Sequence, residues 1–578
     1  MEVVSPYNTK PATILQSPSP RLQLPETNLY DFLLNRSKPP CAKDYRIFVD
    51  TTTNESLSYD QCRQAAKAFA SGLQRVFKWR KGDVLAFCLP NSIYIPVATL
   101  GTLRAGGIIS PCNPTYTVAE LAHQFRDSGA RAVLTRANCA EQVWHACAKA
   151  NIAVENVIVI GAESEQRPQA TSWESIMEHG NGAVFDQPQI NPRTNLAFLV
   201  YSSGTSGPPK GVRLSHYNMT SNLMQLYAIE QYNMTWNGST TSGDIPAPGP
   251  QGDKILACLP FFHIFGLTMF VLSPLYIGVT TFIMERFDID QWCSTVETEK
   301  ITFAYIVPPI ALLLAKHPSA TKYNLGSIRM TGSGGAPLDS ELVSAVYQRT
   351  GIRIKQGYGL SETSPGACHL RWQDWQRGAG SVGWLLPNME LKFCSPGLVD
   401  GDAVNPLSPG ATGELYLRGP NVFLGYHNND KATKECLRKD GWFRTGDVGH
   451  IDSNLFVHIT DRVKELIKYK GFQVAPAELE ASLLEHSDVA DCAVIGIQDP
   501  VRRTEVPRAY IVHASKTHEE ATAEDGNAIA AWLGTRLTDY KRLRGGVIFV
   551  GSIPKSPSGK ILRRILKDQA TRELKSKL

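Results

Sequence analysis

A segment of small, hydroxyl-bearing residues with one lysine could bind a chain of phosphates. Residues 201–211 read Tyr-Ser-Ser-Gly-Thr-Ser-Gly-Pro-Pro-Lys-Gly and follow an apolar stretch, residues 196–200, that predicts a strand. Glycine lets a backbone approach phosphate closely, while hydroxyls and a lysine supply donors and a cation. The residues with these properties are Ser202, Ser203, Gly204, Thr205, Ser206 and Lys210. The sequence therefore predicts a polyphosphate-binding loop at the end of a strand.

This loop differs from the phosphate loop of P-loop ATPases and kinases. That motif requires serine or threonine directly after glycine and lysine. Here Pro209 precedes Lys210 and Gly211 follows it. The spacing therefore disfavours that class of enzyme.

Four later segments carry further groups that could act on a nucleotide. They are Gly-Ser-Gly-Gly-Ala-Pro at 332–337, Gln-Gly-Tyr-Gly-Leu-Ser-Glu-Thr at 356–363, the pair Thr-Gly-Asp at 445–447 with Asp-Arg at 461–462, and Pro-Lys-Ser-Pro-Ser-Gly-Lys at 554–560. Alone, each has an ordinary structural interpretation: a turn, a surface ion pair or a flexible basic loop. The first predicts a turn that opens a helix, with Pro337 in the first helical turn.

In combination and in this order, the segments resemble the motifs of the adenylate-forming superfamily. That superfamily includes acyl-CoA synthetases, 4-coumarate–CoA ligases, firefly luciferase and the adenylation domains of peptide synthetases. The resemblance covers roughly residues 45–565. It implies an AMP-forming acid–thiol ligase that uses ATP and CoA as co-substrates and Mg²⁺ as cofactor. The carboxylic acid would become an acyl adenylate with release of pyrophosphate, and the acyl group would then pass to CoA.

The resemblance assigns roles in a nucleotide site. Tyr358 would stack on adenine, Ser361 would bind the α-phosphate and Glu362 would hold Mg²⁺. Asp447 and Arg462 would bind the ribose hydroxyls. The family more often has threonine where this chain has Ser361, and the hydroxyl is retained. The phosphate loop, Gln356 and Gly357 complete this predicted site.

A catalytic lysine and a second reacting face follow from the same resemblance. Lys560 would bridge the attacking carboxylate and the α-phosphate and neutralise charge that would repel them. Lys464 stands at the hinge position of the family. The residues assigned to thioester formation are Lys468, which would be catalytic, and Lys470, Gly471, Gln473 and Arg286, which would bind CoA.

The acyl pocket is predicted from positions that resemble those of 4-coumarate–CoA ligase: Phe265, Met269, Gly335, Pro365 and Gly366. Phe265 and Met269 stand where that enzyme has a tyrosine and a serine, and Gly366 replaces a branched residue and should deepen the pocket. We therefore expect an apolar medium-chain, fatty or aryl-alkyl acid rather than a hydroxylated cinnamate. His263 would gate the acyl tunnel or take the thiol proton, and a buried core histidine is the third interpretation.

Two alternatives and one placement complete the functional prediction. A stand-alone adenylating enzyme, or a luciferase-like oxygenase, would use another acyl acceptor. A non-catalytic nucleotide- or membrane-binding protein is disfavoured because Lys560, Glu362 and Lys468 are all present. The chain looks nearest to fungal peroxisomal ligases of secondary metabolism, such as phenylacetate–CoA ligases and the acyl-CoA ligases of host-selective toxin pathways.

The elements that must position these residues alternate along the chain. Strands predicted at 83–88, 107–110, 130–135 and 155–160 alternate with helices at 93–104, 117–127 and 140–150, the second of these opened by a capping box from Thr117 to Glu120. A second block predicts strands at 301–307, 327–332 and 352–356 with helices at 308–315 and 337–349. Such alternation favours parallel sheets with helices on both faces.

These patterns predict an α/β protein with two domains. A large N-terminal domain, residues 1–461, would contain doubly wound parallel sheets and a small β module at 385–460, with an exposed loop at 237–253. Residues 462–464 would form a hinge. Residues 465–578 would form a small, mobile α+β domain that carries the catalytic lysine.

Composition excludes several other classes of protein. The 578 residues carry a net charge of +5, too weak for a dedicated nucleic-acid binder. The twelve cysteines include no CxxC pair, which disfavours a zinc site and predicts reduced, mostly buried thiols. Residues 261–284 lack charged side chains but contain Pro274, Gly266 and Gly278, so we expect a buried helix, turn and strand rather than a membrane span.

Both ends of the sequence bear on location. The first twenty residues lack an apolar core and contain several prolines, so we expect no secretory signal. The sequence ends Ser576-Lys577-Leu578, a tripeptide that a peroxisomal import receptor reads as an address. We therefore expect a peroxisomal location and that receptor as a partner.

Overall fold

The computed structural model describes residues 14–161, 169–202, 209–230, 233–238, 245, 247–395, 406–470, 472–499, 502–556 and 559–576. Across these residues the chain forms three larger sheets in an N-terminal domain and two small sheets in a C-terminal domain. The expected α/β class, with a large domain of parallel sheets and a small C-terminal domain, is confirmed.

The first sheet has seven strands and carries the predicted phosphate loop at one edge. Its order is Lys210–Ser215, Leu196–Ser202, Ile108–Pro111, Val84–Cys88, Ala130–Arg136, Val157–Ile160 and Thr171–Ser172. Only the first pair is antiparallel. The helices between its strands are Tyr59–Phe77, Tyr94–Arg104, Val118–Ser128, Ala140–Lys149 and Trp173–Gly180. The capping box is confirmed, since the Thr117 hydroxyl accepts from the Glu120 amide and the Glu120 carboxylate accepts from the Thr117 amide.

The second sheet has nine strands and carries most of the remaining motifs. Its order is Trp384–Leu385, Gly366–His369, Ile354–Gly359, Met330–Ser333, Phe303–Ile306, Lys254–Ala257, Thr280–Ile283, Arg46–Asp50 and Ser56–Ser58. The six central strands are parallel, and antiparallel pairs close both edges. Its helices are Leu29–Leu34, His216–Glu230, Ile289–Glu299, Pro308–Lys316, Ser319–Lys322 and Ser340–Thr350.

The predicted helix at 337–349 begins later than its proline suggests. The Asp339 carboxylate accepts from the Leu342 amide at 2.6 Å and caps a helix that starts at Ser340. Pro337 therefore lies in the turn before the helix rather than in its first turn. The strand expected at 352–356 runs from Ile354 to Gly359 and so includes Tyr358.

The uncharged segment at 261–284 is buried, as the sequence predicts. Short helical turns at Ile264–Gly266, Leu267–Leu272 and Ser273–Ile277 precede the strand Thr280–Ile283. Across the described ranges, none of the helices has the length and apolar character needed to cross a bilayer. All twelve cysteines are free thiols and ten are buried, as expected. The predicted loop at 237–253 lies partly outside the described residues.

The β module and the C-terminal domain complete the fold. Five antiparallel strands form the module: Leu15–Gln16, Glu390–Cys394, Gly413–Arg418, Phe443–Ile451 and Val457–Arg462. The helix Asp430–Cys436 lies between its third and fourth strands. The C-terminal domain pairs Ile467–Tyr469 with Phe472–Val474, and joins Val489–Asp499, Thr504–His513 and Val547–Phe549 in a second sheet. Its helices are Pro476–Leu484, Ala523–Arg536 and Arg563–Ser576.

Candidate active site

One cavity of about 1100 Å³ lies where the two large sheets, the β module and the C-terminal domain meet. The carboxyl ends of several strands open onto it, which is where ligands bind in open α/β sheets. The predicted site residues that line it are Ser202, Lys210, His263, Phe265, Met269, Gly335, Gly357, Tyr358, Ser361, Glu362, Pro365, Gly366, Arg462, Lys464 and Lys560. Segments far apart in the sequence therefore share one space.

Several predicted residues fall outside this lining. Gln356 and Asp447 are buried beside it. Ser203, Gly204, Thr205 and Ser206 lie outside the described residues, as do Gly471, Lys577, Leu578 and the side chain of Gln473. Ser576 is the last residue of the final helix. Only the two ends of the phosphate loop, Ser202 and Lys210, can therefore be assigned a position.

Strand pairing explains how Asp447 and Arg462 come together. The antiparallel strands Phe443–Ile451 and Val457–Arg462 set these residues directly opposite each other. The Arg462 Nε lies 2.8 Å from the Asp447 Oδ1, and the Tyr358 hydroxyl donates to Asp447 Oδ2 at 2.5 Å. Burial and the adjacent Asp447 carboxylate raise the pKa of Tyr358 well above its usual range. The pair thus presents one carboxylate and one guanidinium beside an aromatic ring that faces the cavity.

Glu362 has the surroundings expected of a single carboxylate ligand for a cation. It is 8% exposed, and its Oε1 accepts from the Tyr426 hydroxyl at 2.8 Å. Lys210 Nζ lies 5.0 Å from the centroid of the Tyr426 ring. Within the described ranges no group of three or more His, Cys, Asp or Glu side chains could hold a metal. Mg²⁺ is often bound through one or two carboxylates plus substrate phosphates, so this donor set fits it.

Two buried asparagines fix the loop that carries Ser361 and Glu362. Asn421 Nδ2 donates to the carbonyls of Thr363 and Gly366 at 2.8 and 2.7 Å. Asn222 accepts from the Gly366 amide at 3.0 Å and donates to its carbonyl at 2.9 Å. Sequence reasoning missed both asparagines, because their neighbours in the sequence carry no pattern that marks them.

Lys560 reaches the cavity from the C-terminal domain. Its amide donates to the Ser556 hydroxyl at 3.1 Å and its carbonyl accepts from the Ser556 amide at 2.8 Å, which closes a tight turn. Gly559 has φ +80°, and a Cβ there would lie 3.1 Å from Pro309 of the N-terminal domain. Burial, and secondarily the Arg462 charge, lower the pKa of Lys560 to about 8. The ammonium is thus held inside the cavity against its preference for water.

His263 is neutral in this arrangement. Burial and, after it, the nearby Lys560 charge lower its pKa to about 4. Its Nδ1 accepts from the Phe265 amide at 3.3 Å, so the ring proton resides on Nε2. A ring that already carries its proton on Nε2 is a donor at that nitrogen and has no lone pair there to take the thiol proton.

The acyl end of the cavity contains residues that the sequence did not single out. Phe265 packs edge-to-face on Tyr305 with ring centroids 5.8 Å apart, and Leu226 also lines the wall. A Cβ at Gly366 would lie 2.9 Å from Leu226 and 3.1 Å from Leu386. These side chains occupy the space beside Gly366, so the expected gain in pocket depth is small there.

The residues predicted for thioester formation are not brought to Lys560. Lys468 is exposed on the strand Ile467–Tyr469, where its amide donates to Glu505 at 2.8 Å. Lys470 is exposed as well, and its amide donates to the Thr504 hydroxyl at 2.9 Å. Arg286 is exposed in the turn after the strand Thr280–Ile283. One orientation of the two domains therefore serves only one of the two predicted steps.

Two family profiles match this chain, one in the N-terminal domain and one in the C-terminal domain. A profile described as AMP-binding enzyme matches residues 38–427, and one described as AMP-binding enzyme C-terminal domain matches residues 478–560. A probable 4-coumarate–CoA ligase 1 of Dictyostelium discoideum is 36% identical over 575 residues, covering 97% of this chain and 98% of the relative. The 4-coumarate-CoA ligase 1 of Narcissus pseudonarcissus is 33% identical over 574 residues, covering 97% of each.

Solved structures agree in fold. ATP-bound MatB from Rhodopseudomonas palustris superposes with a TM-score of 0.79 at 26% identity, covering 94% of this chain and 99% of that one. A fatty acyl CoA synthetase of Mycobacterium tuberculosis gives a TM-score of 0.67 at 27% identity, covering 94% and 98%. The similarity therefore extends over both domains.

Proposed function

Because the chain belongs to the AMP-binding enzyme family and is an AMP-forming acid–CoA ligase, we propose that its acid is an apolar medium-chain, fatty or aryl-alkyl acid. The observation that carries the choice of acid is the wall of the cavity beyond His263. Phe265, Met269 and Leu226 line it with apolar side chains. Burying an apolar chain against them gives about 0.8 kcal/mol per methylene, which favours such an acid over a charged or hydroxylated one.

In the first step the acid is activated. A carboxylate oxygen attacks the α-phosphorus of ATP, the bond to the bridging oxygen breaks, and pyrophosphate leaves with the electron pair. Lys560 and Lys210 both line the cavity and bring positive charge to the reacting anions.

We propose that Glu362 holds Mg²⁺ together with phosphate oxygens of the nucleotide. The ion would screen the phosphate charges and stabilise the departing pyrophosphate. The Tyr426 hydroxyl fixes one oxygen of Glu362, while the carboxylate lines the cavity. A single carboxylate leaves the other ligand positions of Mg²⁺ to phosphate oxygens and water. This supports a cation that binds together with the nucleotide.

In the second step the thiol of CoA loses its proton to water and its sulfur attacks the carbonyl carbon of the adenylate, and AMP leaves with the electrons of the mixed anhydride bond. We propose that the C-terminal domain first rotates about Lys464, so that Lys468, Lys470 and their neighbours replace Lys560 at the cavity. The exposure of Lys468, which is not part of the cavity lining, supports this exchange. Arg286 lies on the surface, where it can meet the CoA phosphates.

A panel of carboxylic acids tests the activity and the choice of acid. Purified protein is incubated with MgATP and short, medium, long and aryl acids, with and without CoA, and mass spectrometry measures thioester, AMP and pyrophosphate. We expect CoA-dependent thioester with medium-chain or aryl-alkyl acids. A strong preference for coumarate or caffeate over all aliphatic acids would contradict the proposed acid. Pyrophosphate without thioester would instead indicate another acyl acceptor, as in a stand-alone adenylating enzyme or an oxygenase.

We propose a peroxisomal location, with use of the thioester in fungal secondary metabolism, including toxin biosynthesis. The tripeptide Ser576-Lys577-Leu578 and the resemblance to fungal peroxisomal ligases support this proposal. A fluorescent protein fused to the N-terminus should mark peroxisomes with the intact sequence and should stay diffuse when the three residues are removed. The same distribution for both fusions would contradict the location.

A further inference from the structure

A buried group of charged and polar side chains lies behind the acyl end of the cavity. Lys355 is fully buried and pairs with Glu230, which is 3% exposed. Trp372 Nε1 donates to the second oxygen of Glu230 at 2.5 Å, and Lys355 Nζ lies 3.2 Å from His369 Nδ1. A buried ion pair seldom adds net stability, because both charges must leave water. A gain in stability therefore does not explain why this ion pair lies beside the acyl pocket.

The register of the nine-stranded sheet brings this group to the cavity. The parallel strands Phe303–Ile306, Met330–Ser333 and Ile354–Gly359 align Tyr305, Gly332 and Lys355 across the sheet. His369 lies opposite Gly357 in the next, antiparallel strand. Tyr305 and His369 both line the cavity.

Two glycines leave the space in front of these side chains open. A Cβ at Gly332 would lie 2.8 Å from Tyr305 Cδ1. A Cβ at Gly357 would lie 2.8 Å from His369 Cδ2 and 3.3 Å from its Nε2. A Cβ at either position would therefore press on the Tyr305 ring or on the edge of the His369 ring that includes Nε2.

The surrounding charges decide which nitrogen of His369 carries the proton. Its Nδ1 lies 3.2 Å from the Lys355 ammonium and 3.0 Å from the Leu370 carbonyl. The Lys355 ammonium has only donors and carries a full positive charge. Placing a proton on Nδ1 beside this ammonium therefore costs more free energy than placing the Nδ1 lone pair beside the Leu370 carbonyl oxygen. Burial and then the Lys355 charge lower the pKa of His369 to about 4, which keeps the ring neutral. Nε2 is then an N–H donor.

Two polar groups at this end of the cavity are left open by the residues that the structure describes. Among the described residues, His369 Nε2 and the Tyr305 hydroxyl have no hydrogen-bond partner. Their charged neighbours also differ from those of His263. The Lys560 charge acts on His263, whereas the charged neighbours of His369 are Lys355 and Glu230. Tyr305 likewise has Glu230 as its charged neighbour.

We propose that His369 and Tyr305 form a polar end to the acyl pocket, which binds an oxygen atom carried on the distal part of an otherwise apolar acid. A ketone or ether oxygen would accept from His369 Nε2 and from the Tyr305 hydroxyl. This inference rests on the proposed acid–CoA ligase function and refines the class of its acid. A plain hydrocarbon chain would leave both donors without a partner, and such a loss is costly in a buried site.

Paired acids in competition test the proposal. Octanoic and decanoic acids compete for CoA with their oxo derivatives, in which a ketone replaces one methylene at successive positions, carbons 5 to 7 of octanoic acid and carbons 5 to 9 of decanoic acid. We expect one oxo acid to exceed its parent in kcat/KM by about tenfold, the size expected for one satisfied donor in a closed site. The ratio of two products from one tube does not depend on the fraction of folded protein.

Three variants separate recognition from a structural effect. In His369→Met the ratio should fall to about one, because the donor is lost. His369→Gln retains an N–H donor and should keep most of the preference. His145→Met replaces an exposed histidine of the helix Ala140–Lys149, outside the cavity, and should keep the ratio of the native protein.

Two results would overturn the proposal while leaving the function in place: native protein that prefers the parent over every oxo acid, or an unchanged ratio in His369→Met. Failure of the proposed function looks different. In that case neither parent nor oxo acids form a CoA thioester.

Discussion

Lys560 is held in conditions that make its charge both useful and dependent on pH. Its ammonium lies in the cavity near Arg462, while Asp447 and Glu465 partly compensate for the positive charge. Because burial lowers the pKa to about 8, the cationic form dominates below that pH and is lost above it. The group that we expect to neutralise the reacting anions is therefore one that ordinary buffers can titrate.

This leads to a prediction about the first half-reaction. The kcat/KM for acid in ATP–pyrophosphate exchange should decline as the pH rises through about 8, since that quantity reports ionisations of the free enzyme. In Lys560→Arg the side chain stays charged to far higher pH, so the decline should move upward even if the rate is lower. A decline at the same pH in both proteins would assign the titration to another group.

At the scale of single residues, sequence reasoning identified several side chains that line the cavity and missed others that line it or hold its wall in place. Lys560, Glu362 and Tyr358 stand in short segments whose residue types suggest their chemistry. Asn222 and His369 act through contacts with residues more than a hundred positions away or through strand register. No local pattern distinguishes such residues from ordinary interior polar ones, so only the tertiary structure reveals them.

At the scale of elements, a buried network joins the start of the C-terminal domain to its last helix. Arg563 on the helix Arg563–Ser576 donates to Glu465 and to Glu480, each at 2.6 Å. Asp461 accepts from the amides of Arg462 and Ala477 at 2.7 and 3.2 Å, and burial raises its pKa to about 7. The segment around Lys464 is thus anchored on both sides, which suits a pivot between two rigid bodies.

Removing the cation of this network should loosen the C-terminal domain. In Arg563→Met two buried carboxylates lose their partner, and breaking such a pair costs about 3–5 kcal/mol. Hydrogen exchange measured by mass spectrometry should accelerate in the helices Pro476–Leu484 and Arg563–Ser576. The exposed neighbour serves as control, since Arg564→Met should exchange like the native protein. Equal exchange in both variants would contradict a stabilising role for Arg563.

The order of strands and helices was more predictable than their ends. Short continuous apolar runs predicted the four strands between Val84 and Ile160. Parallel strands that are buried on both faces consist of such runs. The helix Ser340–Thr350 starts three residues after Pro337 because Asp339 supplies the cap. The pairing of strands far apart in sequence, such as Gly366–His369 with Ile354–Gly359, left no signal of its own.

At the scale of the whole molecule, the two predicted reactions are separated in space. Lys560 lines the cavity, whereas Lys468 belongs to the same domain but is exposed. A Cβ at Gly559 would lie 3.1 Å from Pro309, so the loop that carries Lys560 packs closely on the N-terminal domain in this orientation. We propose that this orientation serves adenylate formation and that a second one admits the thiol.

The central claim is that one cavity serves two chemical steps through two lysines in turn. The direct test measures each half-reaction alone in Lys560→Ala and Lys468→Ala, by rapid quench and mass spectrometry. Lys560→Ala should lose about 10²–10³-fold in acyl-adenylate formation, yet convert a supplied acyl adenylate and CoA to thioester. Lys468→Ala should form adenylate and pyrophosphate normally and be slow in thioester formation. Equal losses of both steps in both variants would contradict the account.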